Sequence, residues 1–122
     1  MSDSSIQSYR DLRVWQEAML LAEWAYFLTR DFPPAELYGM TNQIRRAAVS
    51  VPANIAEGYG RENRGDYVRF LQIAQGSLKE LETHLVLAAR VNLVTEQAIA
   101  PCLEQCETVG KMLRALLRSL QR

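Results

Sequence analysis

The sequence predicts an all-α protein, an antiparallel up-and-down four-helix bundle, and three observations carry that prediction. No stretch alternates apolar and polar residues with the period of two that a half-buried strand requires. Apolar residues instead recur at i, i+3 and i+4 in four separate stretches. Between them lie three breaks rich in proline, glycine or turn residues: Phe32-Pro33-Pro34, Gly58-Tyr59-Gly60 to Gly65, and Val91-Asn92-Leu93-Val94-Thr95. At 122 residues and 13.9 kDa, the chain has the size of one domain, read as 1–122 with residues 1–9 as a flexible lead.

The first helix, Asp11 to Thr29, carries two neighbouring apolar stripes. One holds Trp15, Met19, Ala22 and Tyr26, and the other Val14, Ala18, Leu21, Ala25 and Leu28. The third, Asp66 to Val91, aligns Tyr67, Phe70, Leu71, Ala74, Leu78, Leu81, Leu85 and Ala88 in one band. The fourth, Glu96 to Leu120, follows Thr95 as a candidate N-cap and repeats the pattern with Cys102, Cys106, Val109, Leu113, Leu116, Leu117 and Leu120. Pro101 is expected to bend its first turns. Helices of roughly 36 to 39 Å joined by short connections pack as antiparallel neighbours.

The second helix, Leu37 to Glu57, is the most informative. A turn of about 100° per residue puts Met40, Ile44, Ala47, Val51 and Ile55 on the core side. The same rotation gathers Arg45, Ala48, Val49, Pro52, Ala53 and Ala56 on the other side, a small and apolar face that a lone bundle would leave in water. Pro52 removes a backbone hydrogen bond in mid-helix, which costs about 3 kcal/mol or kinks the axis unless something compensates. A polar stripe of Gln43, Arg46, Ser50, Asn54 and Glu57 runs between the two faces, spaced to bond along the helix or across a subunit joint. The reading is a helix packed into a symmetric homo-oligomer, with Arg45, Arg46, Val49, Ser50, Pro52, Ala53, Asn54, Ala56 and Glu57 as its interface. The alternative is that its small residues only permit close approach inside one subunit.

Chemistry is sparse. The sequence carries no GxSxG, P-loop, dinucleotide fingerprint or HExxH, so no catalytic residues are assigned and an enzyme is not expected. Glu57, Glu80 and Glu82 make no site unless their environments separate their pKa values. His84 follows Glu80 by one turn, a spacing that more often means a helix-surface ion pair than an oriented base. Gly58 and Gly60 read as a helix C-terminus. Cys102 and Cys106 sit at i, i+4, where disulfide geometry is hard to reach, and are expected as reduced thiols. No metal or cofactor is implied. The start has neither a basic nor an apolar leader region, and no apolar run approaches about 18 residues, so a cytoplasmic chain with no membrane association is expected.

Lys plus Arg and Asp plus Glu each number fourteen, so any electrostatic role must be local. Residues 1–36 hold three cations against six acids, whereas residues 109–122 hold four cations and no acid. Lys111, Arg114, Arg118 and Arg122 fall within about a quarter-turn of one another. Arg69, Lys79 and Arg90 project from the third helix, and Arg61 and Arg64 from the loop before it. Repeated around a symmetry axis, Arg61, Arg64, Arg69, Lys111, Arg114 and Arg118 offer phosphate contacts to RNA or DNA. The alternative is a solvated face whose terminal cations complement the helix dipole.

The matching segments are Asp11-Leu12-Arg13-Val14-Trp15, Phe32-Pro33 with Glu36, Tyr38-Gly39-Met40, and the unbroken run from Gln43 to Gly58. They continue with Tyr67, Phe70-Leu71, Ile73-Ala74, Gly76-Ser77 and Glu80-Leu81-Glu82. On these residues, spread over about 9–118, the chain resembles the 23S rRNA intervening-sequence proteins. The resemblance implies an antiparallel bundle assembled as a ring-like homopentamer. Members are encoded within insertions in bacterial 23S rRNA genes or at unrelated bacterial loci, and their activity is generally not established. The chain is also similar to the accessory variability proteins of diversity-generating retroelements, which are strongly basic pentamers that bind nucleic acid and a reverse transcriptase. Two readings follow: a non-enzymatic oligomeric scaffold whose protein partner is unidentified, or a nucleic-acid-binding accessory protein.

Overall fold

A computed structural model describes residues 6–121. They form four long helices, α1 (Arg13–Thr29), α2 (Asn42–Tyr59), α3 (Arg64–Arg90) and α4 (Glu96–Leu120), and no strand occurs among the described residues. Each helix packs on the next and α1 also packs on α4, so the four close a square around one core. The ends pair as an up-and-down order requires. Arg45 at the start of α2 meets Tyr26 and Thr29 at the end of α1. Gly58 at the end of α2 faces Tyr67 and Phe70 at the start of α3. The expected all-α four-helix bundle is therefore present within one chain.

The helix limits follow from local chemistry, and three of the four starts differ from expectation. Residues 9–11 form a separate 3-10 turn, because Ser8 and Asp11 cap each other's backbone, and α1 begins at Arg13. The flexibility expected of residues 1–9 falls partly outside the described residues. Ser8 is held by this cap, and the Tyr9 ring sits edge-on to Trp15 at 5.2 Å. The second helix begins at Asn42 and not Leu37, since Gly39 leaves helical geometry and residues 37–41 wind as one wide π turn. Glu36 closes that turn by accepting from the Met40 N–H at 3.1 Å. Asn63 starts α3 two residues earlier than expected by accepting from the Asp66 N–H at 2.8 Å. Thr95 caps α4 as expected, accepting from Ala98 at 3.0 Å.

The α3 C-terminus ends in a Schellman motif. Asn92 takes φ of 65°, the left-handed region that asparagine tolerates, while the Leu93 N–H reaches the Ala88 carbonyl at 2.9 Å and Asn92 that of Ala89 at 3.1 Å. Both Pro52 and Pro101 lie inside uninterrupted helices.

The predicted apolar bands meet at the centre, with Leu21, Ile44, Ile55, Leu71, Leu78, Leu81, Leu85 and Leu113 all fully buried. Of the two α1 stripes, Val14, Ala18, Leu21 and Ala25 face the core, whereas Tyr26 on the other remains about half exposed. The second helix departs from its expected split. Ala48 and Pro52, placed on the outer face by the sequence reading, are buried within the single chain. They lie about 40° and 80° around α2 from Ile44, on the flank turned toward α1, so α1 covers them without a second subunit. The polar stripe is likewise partly internal. Ser50 and Ser77 of α3 share a hydrogen bond of 2.8 Å, and Asn54 donates to the Ser50 carbonyl and hydroxyl.

Candidate functional site

Once Ala48 and Pro52 are assigned to the core, the free face of α2 narrows to Asn42, Arg46, Val49, Ala53 and Glu57, all exposed. Val49, at 43% exposure, is a β-branched apolar residue in the middle of this face. Ala56 is half-buried beside it. On α3, Ile73 is 41% exposed and stands one turn before Ser77, the residue bonded to Ser50 of α2. Val49 and Ala53, one turn apart, put apolar side chains on the outer face of α2, and Ile73 does so on α3, while Ser50 ties the two helices through Ser77 and Asn54 bonds back to Ser50 within α2.

Arg45, expected at the same interface, turns to α1 instead. Its Nε donates to the Thr29 hydroxyl at 2.8 Å, that hydroxyl donates to the Ala25 carbonyl at 2.8 Å, and the guanidinium carbon lies 4.5 Å from the centre of the Tyr26 ring. Thr29 is buried, so this chain of bonds fixes the arginine in place. The sequence placed Tyr26 on an apolar stripe and Thr29 at the helix end, and gave neither as a partner of Arg45. Both residues are visible in the sequence at i, i+3 near the end of the first helix, but their partner lies sixteen positions beyond Thr29, which no local spacing reveals.

The basic residues are less available than their spacing suggested. Glu57 binds Arg61 at 2.7 Å, Asp66 approaches Arg69 at 3.8 Å, and Glu107 approaches Lys111 at 3.8 Å. Arg61 and Arg69 both lie over the Phe70 ring. Arg64 is exposed and interacts with a neighbour. Arg114 and Arg118 are exposed on α4 and have no carboxylate within ion-pair distance among the described residues. Arg122 lies outside the described residues.

The carboxylates do not gather into a reaction centre. Glu80 stands 3.6 Å from His84 Nε2, a nitrogen that is buried yet makes no hydrogen bond. Glu57 is near the Phe70 end of α3, and fourteen helical residues, roughly 21 Å, separate Phe70 from His84. No group of three potential metal ligands occurs among the described residues. Cys102 and Cys106 are both free and fully buried. Mutual interaction of the two neighbouring thiols raises the Cys106 pKa and lowers that of Cys102, and burial adds to the rise at Cys106. No described helix is long and apolar enough to cross a membrane.

The family model for the 23S rRNA-intervening sequence protein matches residues 10–115, which take in α1 to α3, most of α4 and the whole run from Gln43 to Gly58. The chain belongs to that family. A solved structure from Bacteroides thetaiotaomicron, a protein with unknown function from the S23 ribosomal protein family, is similar with a TM-score of 0.75. It is 24% identical, and the alignment covers 85% of this chain and 97% of that one, a likeness that concerns the fold. Among curated proteins, none matches the chain. The intervening-sequence family and this neighbour thus agree with the four-helix architecture, and neither brings an established activity.

Proposed function

We propose that this intervening-sequence protein is a non-enzymatic scaffold, a ring-like homopentamer of four-helix bundles acting in the cytoplasm, with α2 and the adjoining edge of α3 at the subunit joint. The observation that carries the reading is the exposed apolar set of Val49 and Ala53 on α2 and Ile73 on α3. It lies beside a core that is already complete, so folding of one chain does not account for its apolar character. The pentamer number rests on the family resemblance. The interface is narrower than the sequence reading: Val49, Ala53, Ala56 and Glu57, flanked by Arg46, with Arg45, Ser50, Pro52 and Asn54 serving inside the subunit.

Light scattering after size exclusion tests this at micromolar chain concentration. The expected mass is that of five chains, and Val49→Asp, which puts a carboxylate in this apolar set without touching the core, is expected to give folded monomers. A parent protein that elutes as a monomer overturns the proposal.

Nucleic-acid binding is the second reading, favoured by the unpaired Arg114 and Arg118 on a terminal stretch without acids. RNA or DNA retained at low salt and released at high salt supports it, and Arg118→Gln should then flatten the salt dependence.

A further inference from the structure

An open depression of about 480 Å³ lies where the end of α1, the π turn and the start of α2 meet. Tyr26, Leu37, Thr41, Asn42, Arg45 and Arg46 form most of its wall, joined by Val49 and Ser50, and no acidic side chain lines it. The volume is within the range of small-molecule sites. Unlike Arg61, Arg69, Lys79 and Lys111, neither Arg45 nor Arg46 has a carboxylate within 4.0 Å among the described residues. The depression therefore holds two uncompensated positive charges.

Its geometry suits an oxyanion. Arg45 is pinned through Nε by Thr29 and by the Tyr26 ring beneath it, which leaves the two Nη groups to donate. Arg46 is exposed and brings a second, unconstrained fork. Thr41 lines the same depression, and its hydroxyl makes no hydrogen bond to the described residues, so it is free to donate to a ligand. Around the cations, Leu37 at 50%, Tyr26 at 47% and Val49 at 43% exposure form an apolar rim.

We propose that this depression binds a phosphate monoester whose organic body is apolar or planar. Two guanidinium charges match an anion that carries about −1.5 to −2 at pH 7, which a monocarboxylate does not. Arg45 and Arg46 hold the phosphate oxygens, Thr41 donates from the floor, and the ester's organic body lies against Leu37, Tyr26 and Val49. The site is built from a single chain and does not rest on the pentamer, although Val49 lies in the proposed joint and Arg46 flanks it.

Calorimetric titration of the full chain with phenyl phosphate, inorganic phosphate and benzoate tests the proposal, with light scattering recorded on the same samples. Phenyl phosphate is expected to bind once per chain, with inorganic phosphate several-fold weaker for want of the rim contacts and benzoate about tenfold weaker for want of charge. Arg46→Gln, an exposed change that leaves the fold alone, should weaken phenyl phosphate about tenfold or more, and Arg45→Gln likewise. No saturable binding at millimolar ester, equal affinity for benzoate, or an unchanged Arg46→Gln would each overturn it. Inorganic phosphate binding as tightly as the ester removes the apolar rim from the site and overturns the ligand class. A pentamer that does not bind refutes the pocket alone, and a monomer that binds refutes the assembly alone.

Discussion

Alanine at Gly58 and alanine at Gly76 should move stability in opposite directions, although both glycines are helical. At Gly58 the added methyl carbon would stand 2.9 Å from Phe70 Cβ, 3.1 Å from Tyr67 Cδ1 and 3.3 Å from the Tyr67 carbonyl oxygen. Phe70 Cβ and the carbonyl are tied to the α3 backbone, so they yield only if α2 and α3 move apart. Overpacking of this kind costs about 1–3 kcal/mol, and the gain from alanine's higher helix propensity, about 1 kcal/mol, offsets part of it. The balance is a loss of up to about 2 kcal/mol, which for a chain of this length lowers the melting temperature by up to about 8 °C. At Gly76, exposed in the middle of α3, the same methyl meets nothing within 4 Å. Only the propensity gain remains there, a rise of about 3–4 °C. Thermal unfolding followed by circular dichroism reads both, provided the three proteins are compared at one chain concentration so that assembly contributes equally. A Gly58→Ala protein that melts above the parent, as Gly76→Ala is expected to, refutes the close approach of α2 and α3.

Burial, together with the neighbouring Tyr59, pushes the Tyr67 hydroxyl up from its ordinary 10.0 to about 12. The proton is held more tightly in the folded chain, so this contribution to stability is complete below pH 10 and is lost as the pH rises through about 12. A phenolate absorbance titration should show one tyrosine ionising near pH 12, and Tyr67→Phe should remove that component and flatten the alkaline loss of stability. Thr29→Val deletes the acceptor for Arg45 and leaves the half-buried guanidinium short of a bond. The expected cost is about 1–3 kcal/mol in denaturant midpoint, with much less lost when Arg45 is already methionine.

What the sequence exposed was periodicity. The bands from Val14 to Ala25, Leu71 to Ala88 and Cys102 to Leu117 all reach the core because a helical period allows one face only. Caps with a short-range partner were also legible, as at Thr95. The start of α2 was not, because the composition around Gly39 fits an α-helix as well as a π turn, and the choice depends on Glu36 reaching Met40. Nor was the fate of Ala48 and Pro52, since a helix wheel gives directions without saying which directions already hold a neighbour. The interface and basic residues suffered most from this. Ser50, Asn54, Arg45 and Arg61 take partners set by side-chain packing or by one optional rotamer, which spacing does not specify.

Two sulfur atoms on α4 give the bundle an internal clock. Cys102 and Cys106 have no exposed surface, so a thiol reagent added to the solution finds them only in the moments when α4 lifts from the other three helices. The rate of labelling, set against the rate for an unfolded chain, therefore measures how often the barrel of helices opens, without denaturant or an introduced probe. Because both thiols sit on one helix and one turn apart, they should be lost together as α4 detaches, whereas fraying confined to either end of the helix would spare them both.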